Sequence, residues 1–225
     1  MSTARDAILT TLRRQLKRGS LADEPRQRLQ HRLQHPPRHT IPQRGLVPHS
    51  EQVNLFIQMA ERADASVQRL STAAAIPAAV ADYLHRHNLP SELIVAPDPS
   101  VAELPWSEHP SMRLRIGAAQ DQDKVSVSPA FAGIAETGTL MVLSGAHTPT
   151  TLNFLPDAHI VVLPAPQIVG CYEEAWQRLR EHAVAMPRTA NLITGPSRSA
   201  DIEQTLQLGA HGPIHLHIVI VDPSM

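Results

Sequence analysis

Glu136 stands in Gly133-Ile134-Ala135-Glu136-Thr137-Gly138-Thr139, a carboxylate set among small residues. In so tight a segment a carboxylate can serve as nucleophile or base, or it can accept N–H bonds and pin a turn. A second constellation fills residues 194–213, TGPSRSADIEQTLQLGAHGP. Gly195 permits a close backbone approach, and Pro196 stiffens the turn and removes one donor. Ser197 and Ser199 can cap a helix or donate to a bound oxygen, and Arg198 can fork onto a carboxylate or phosphate. The stretch reads as a turn opening a short helix whose first residues include Asp201 and Glu203. Free N–H groups and the helix dipole would then favour an anion at Thr194–Arg198, with the two acids competing for that place. The same residues suit a well-capped helix with no ligand. Gly209-Ala210-His211-Gly212-Pro213 closes the stretch as a glycine stop. His211 is either a general acid or base, or a histidine held at the helix end.

Other reactive types carry less. One cysteine, Cys171, excludes an internal disulfide and a cysteine-ligated iron–sulfur cluster or zinc finger held by this chain alone. Cys171 precedes a helix pattern and reads as a buried structural thiol. His31, His35, His39 and His49 are separated by prolines and have no companion carboxylate cluster, so no metal set is assigned. His147 and His159 have no metal-type partner four residues away. His215 and His217 alternate along one strand and read as solvent-facing.

These residues need a scaffold, and the chain has room for one. Its 225 residues fit one large domain or one domain with an arm. Lys and Arg total 20 against 21 Asp and Glu, but residues 1–50 hold ten basic residues and three acids. The arm is therefore basic and the remainder acidic, an asymmetry that suits docking to an acidic surface or a polyanion as well as plain solvation. Aromatic poverty argues against nucleic acid. No apolar run approaches a membrane span, and Arg13, Arg14 and Lys17 interrupt any signal-peptide core, so a cytoplasmic protein is expected.

Residues 4–17 pattern as an amphipathic helix, and residues 20–50 read as an extended Arg-, Gln-, His- and Pro-rich arm. Val53, Phe56, Ile57, Ala60, Ala63, Val67 and Leu70 recur at helical spacing and predict one long helix. Further helices are expected over 78–86 and from Tyr172 onward. Strands are expected over 92–96, 113–116, 125–128, 140–143, 159–163, 190–193 and 214–221. Alternating strand and helix predicts an α/β fold with a largely parallel sheet and flanking helices, over residues 50–225, behind a basic helix and arm at 1–49. Ligands of such sheets sit at the carboxyl ends of the strands. Residues 194–197 are expected there, with residues 136–139 reaching the same crevice.

The ordered blocks 132–139, Leu155-Pro156 with 159–162, Gln167-Ile168-Val169, 194–203 and 209–213 closely resemble the LUD-domain family, in particular its lactate-utilisation protein C branch. The resemblance covers residues 50–222. It implies a fold like that of the ribose-phosphate isomerase, glucosamine-phosphate deaminase and CoA-transferase superfamily. It also implies a role, with two iron–sulfur partner proteins, in oxidising L-lactate to pyruvate. With one cysteine this chain would be the component without a redox centre, holding no cofactor, binding those partners and a small anionic ligand through Thr137, Gly138, Thr139, Thr194, Gly195, Pro196, Ser197, Arg198 and Asp201, and able to form a homo-oligomer. The alternative is an independent enzyme of CoA-transferase or formyltetrahydrofolate cyclo-ligase type using Glu136 and the 194–198 turn. Thr150-Thr151 stand where the family often has an arginine before the Leu-Pro block.

Overall fold

The computed structural model describes residues 3–17, 19–37, 40–182, 186–199 and 207–222. They divide into two compact units, Met1–Thr40 and Ile41–Met225.

In the first unit, α1 (Ala4–Gln15) opens with a capping box. Asp6 N–H donates to Thr3 Oγ1 and Thr3 N–H donates to Asp6 Oδ2, both at 3.3 Å. Residues 20–50, expected as an extended arm, instead contain α2 (Asp23–Gln34). Asp23 and Glu24 in its first turn and His31 and Arg32 in its last complement the dipole, and Pro25 suits the start. The prolines that suggested an extended chain lie mostly beyond it, from Pro36. Neither helix buries a single residue.

In the second unit, α3 (His49–Arg62) turns Val53, Phe56 and Ala60 inward. The helical spacing expected to run on to Leu70 breaks after Arg62. Asp64 takes a left-handed φ of 64°, and β1 (Ser66–Leu70) begins. Val67 and Leu70 match the helical period by coincidence, since Val67 is an interior position of a parallel strand paired opposite Ile218.

The chain continues through α4 (Ile76–Arg86), β2 (Glu92–Val95), the one-turn α5 (Pro99–Ala102), β3 (Arg113–Ile116), β4 (Val125–Pro129), β5 (Ala132–Ile134), β6 (Thr139–Leu143), β7 (Ala158–Pro164), β8 (Ile168–Val169), α6 (Tyr172–His182), β9 (Ala190–Ile193), β10 (Arg198–Ser199), β11 (Gln207–Leu208) and β12 (His215–Val221). Six strands form a wholly parallel sheet in the order β1-β12-β7-β4-β2-β3. This is the α/β architecture that the alternating pattern predicts. A second sheet, β8-β5-β6-β9, is mixed, with both neighbours of β6 antiparallel to it.

The two sheets share a core. Along β7, Ile160 and Val162 face α4, joining Ile76, Val80 and Leu84. Val161 and Leu163 face the other way, onto Phe56 of α3 and onto Leu140 and Val142 of β6. Strand β6 alternates in turn and sends Met141 outward to Ala175 of α6. The layers are therefore α4, parallel sheet, mixed sheet with α3, then α6. Phe56, Ile76, Leu140 and Ile160 are fully buried, each such side chain stabilising the fold by about 1.5–3 kcal/mol.

Candidate functional site

Two regions matter: the junction of the singled-out motifs, and a crevice at the opposite ends of the parallel strands.

The C-terminal end of α3 seats both glycine turns. Gly138 has φ +67°, and a Cβ there would lie 2.2 Å from Ala60 N. Gly195 has φ +71°, and a Cβ there would lie 2.1 Å from Ala63 O. Only glycine satisfies both the left-handed angle and the contact. Arg198 forms an ion pair with Asp64, just past the same helix end.

Hydroxyls tie the turns together. Thr139 Oγ1 lies 2.7 Å from Thr137 Oγ1 and 2.7 Å from Thr194 Oγ1. Tyr172 Oη, at the start of α6, accepts from Thr137 Oγ1 at 3.0 Å and is 3.0 Å from Thr139 Oγ1. Thr139 is fully buried and Thr194 exposed, so the network runs from core to surface. Sequence reasoning placed Tyr172 on a helix face and missed this role. The signal was its position at the first turn of α6, directly after the Gly170-Cys171 pair.

Glu136 is 3% exposed. Its Oε1 accepts the Tyr172 N–H at 3.1 Å, and its own N–H donates to Gly170 O at 3.1 Å. The carboxylate thus caps α6, an anion at a helix N-terminus. Pro196 is half-buried in the turn.

The helix expected after Ser197 falls mainly on residues 200–206, outside the described residues, and the described residues on either side of it form a short ladder. Arg198 and Ser199 are extended and pair antiparallel with Leu208 and Gln207. Asp201 lies outside the described residues. Ser197 closes the hairpin's base, its N–H donating to Pro213 O at 2.8 Å, its carbonyl accepting from Gly209 N–H at 3.1 Å and its Oγ from His211 N–H at 3.1 Å. His211 is exposed and meets Ser197 through its backbone. The strands expected to flank one unit lie in different sheets. β9 runs antiparallel to β6, whereas β12 lies between β1 and β7.

This corrects the position of residues 194–197. They follow the carboxyl end of β9, but they lie at the amino ends of the parallel strands. Arg198 pairs with Asp64 ahead of β1, and Ile214 and His215 N–H bond Asp157 O ahead of β7.

At the carboxyl ends, β2 and β4 are neighbours whose chains part. From β2 the chain steps outward to β3, and from β4 it proceeds to β7 and β12 on the other side. Such a switch point opens a crevice. Two cavities share Ser100, Pro129, Ala130 and Gln167 there, one of about 390 Å3 and one of about 360 Å3. The larger adds Asp98, Phe131 and Thr148, and the smaller adds Ile76, Pro164 and Asp222. Asp98 Oδ1 accepts from Ser100 N–H at 3.0 Å, fixing the start of α5. Asp222 is gripped by Arg69, with Nε to Oδ2 at 2.8 Å and Nη2 to Oδ1 at 2.9 Å, a pairing that raises the guanidinium's pKa. Of these residues the sequence marked only Gln167, within the Gln167-Ile168-Val169 block and without a site role, although Pro97-Asp98-Pro99-Ser100 directly after a strand is an N-cap with proline in the first turn.

The remaining reactive residues are structural. Cys171 is fully buried, and burial raises its thiol pKa. His217, expected to face solvent, is 3% exposed. It stacks on Tyr83 with ring centroids 3.9 Å apart, and its Nδ1 lies 2.8 Å from Ser66 Oγ. Burial lowers its pKa to about 4. The reason is that β12 is an interior strand, covered on both faces. His159 is fully buried with Nε2 2.7 Å from Ser128 Oγ, and burial lowers its pKa to about 3. Among the described residues no group of three or more His, Cys, Asp or Glu is placed to hold a metal ion, and no helix is long and apolar enough to cross a membrane.

Parts of the chain are similar to known proteins. Lactate utilization protein C of Anoxybacillus flavithermus is 41% identical over 90 residues, 40% of each chain. The protein of that name from Bacillus subtilis is 33% identical over 104 residues, 45% of this chain and 43% of that one. The uncharacterised protein NMB1437 of Neisseria meningitidis is 38% identical over 97 residues, 43% of this chain and 42% of that one. Each alignment spans less than half of the relative's length. The crystal structure of a DUF162 family protein from Deinococcus radiodurans shares the fold, with a TM-score of 0.56 at 22% identity over 78% of this chain and 99% of that one. The model of the LUD domain matches residues 53–221, the whole of the two-sheet scaffold from α3 to β12, and the chain therefore belongs to the LUD-domain family.

Proposed function

We propose that this chain is the non-iron–sulfur component of a lactate-utilisation system that oxidises L-lactate to pyruvate, and that it holds a small ligand in the switch-point crevice while cysteine-rich iron–sulfur partners carry the electrons. The observation that carries the reading is the LUD-domain match together with relatives named lactate utilization protein C. A lone, buried Cys171 supports the division of labour, because one thiolate cannot ligate an iron–sulfur cluster.

The crevice is favoured as the ligand seat on geometry. It lies at the strand ends where α/β sheets bind ligands. It also combines apolar walls with a few convergent polar groups, Ser100, Thr148 and Gln167. The 194–198 turn is less suited, because Arg198 is already paired with Asp64 and no helix starts at Arg198. Glu136 is committed to capping α6.

The test is clean deletion of the gene in its host. Growth on L-lactate as carbon source is lost and returns with a plasmid copy. Undiminished growth, with no paralogue present, contradicts the proposal.

A further inference from the structure

The polar side chains of the crevice have already donated their protons inside the protein. Ser100 Oγ donates to Asp98 Oδ1, and Thr148 Oγ1 donates to Leu143 O at 2.7 Å. The Gln167 amide is turned so that its nitrogen donates to Ala130 O at 2.9 Å and to Phe131 O at 3.2 Å. What each of these groups has left is an oxygen that can accept. The backbone follows suit. The Ser100 N–H bonds Asp98 Oδ1, the Ala130 N–H bonds Val162 O and the Asp222 N–H bonds Leu70 O, while Pro129, Pro164 and Pro166 have no N–H to give.

Charge points the same way. Two carboxylates line the cavities, Asp98 and Asp222, and none of the described lining residues is Lys, Arg or His. Asp222 is matched by Arg69. Asp98 Oδ2 has no hydrogen bond or ion pair to a described residue. Arg178 lies over the Phe131 ring, 5.9 Å from its centroid, and lines neither cavity. The carboxylate of lactate or pyruvate offers acceptors only. In this crevice it would meet lone pairs and a like charge, and its lost hydration would go uncompensated. Cavities of about 390 and 360 Å3 also suit a larger molecule than a three-carbon acid.

We infer that the crevice takes an organic amine with an apolar body, its ammonium directed to Asp98, Ser100 and Thr148 and its body against Ile76, Val162 and Pro164, and that lactate and pyruvate are excluded. The inference rests on the crevice being the ligand seat, as proposed above. An ammonium brings three donors and a positive charge to a place that holds acceptors and an unpaired carboxylate. Under this reading the chain serves the lactate system by binding a molecule other than its carbon substrate.

Titration of the isotope-labelled full chain with four probes, followed at the backbone amides by heteronuclear NMR, tests this. Phenethylamine, phenethyl alcohol and hydrocinnamate share a ring and a two-carbon spacer and differ in the head group, and L-lactate is the fourth. Phenethylamine is expected to shift the amides of Ser100, Thr148 and Gln167 and to bind about fivefold or more tightly than hydrocinnamate, with the alcohol between them and L-lactate silent at those amides. Asp98→Asn, which keeps a cap on α5, should bring the amine's affinity down to that of the alcohol. Hydrocinnamate or L-lactate binding at those amides as tightly as the amine overturns the inference and leaves the crevice standing as the seat. An amine preference untouched by Asp98→Asn overturns it as well. No shift at those amides with any of the four overturns the inference together with the crevice reading beneath it.

Discussion

Thr139 and Thr194 are 55 positions apart in the chain, and their hydroxyl oxygens meet at 2.7 Å. That contact joins the two motif blocks at one point, over the end of α3. Thr139 is its buried member. Thr139→Val removes three hydroxyl contacts and leaves Thr137, Thr194 and Tyr172 partly solvated, so a loss of about 1–2 kcal/mol is expected. A double-mutant cycle with Thr194→Val, read by urea denaturation, should show coupling. Strictly additive effects would mean that the contact contributes nothing.

The glycine turns should be intolerant of any side chain. Gly195→Ala forces a left-handed alanine and drives its Cβ to 2.1 Å from Ala63 O. A cost of about 2 kcal/mol or more follows from the dihedral and the displaced backbone together. Gly19, where an added Cβ would meet nothing within 4 Å, is the control. Gly19→Ala should stay within about 0.5 kcal/mol of the parent. Equal melting temperatures for the two variants would refute the packing account.

Acid should unfold this protein through two histidines. Burial holds His217 near 4 and His159 near 3, against 6.5 for a free imidazole. As pH falls below about 6.5 the unfolded chain takes the proton and the folded chain does not, so stability present above that pH is lost toward the folded values. Each histidine contributes a loss of roughly 2 kcal/mol between pH 6.5 and 5. Denaturant midpoints across that range should fall, and His217→Phe, which keeps the stack on Tyr83, should flatten the slope. A pH-independent midpoint would be incompatible with neutral buried imidazoles.

Cys171 should be silent until the fold opens. A fully buried thiol with raised pKa reacts slowly. Labelling with a disulfide reagent should give one thiol per chain in denaturant and next to none in the native state. Rapid native labelling would contradict its burial.

Much of this scaffold is legible from residue patterns. The continuous apolar runs at β2, β7 and β12 announce buried parallel strands, and Pro77 marks the start of α4. The second sheet is not legible, because β5, β6 and β9 are short and their antiparallel partnership depends on contacts far apart in sequence. Residues 194–213 are legible only in part. A glycine turn followed by acids and then leucines has the local grammar of a helix, whose first residues lie outside the described ones, whereas the contacts of Ser197 with Pro213, Gly209 and His211 join residues 12 to 16 positions apart. Sequence order also placed the motifs at the wrong ends of the parallel strands, since it does not say to which sheet β9 belongs. The crevice escaped notice because its polar groups, Ser100, Thr148 and Gln167, are scattered along the chain among prolines and alanines and come together only at the sheet's switch point.

The central claim is that function resides in the crevice and not in the motif junction. A strain lacking the gene and complemented with Ser100→Trp, a substitution at an exposed position on the crevice wall, tests it most directly. The purified variant should melt with the parent while the strain fails to grow on L-lactate. Growth at the parental rate, with the variant folded and expressed, would contradict the account.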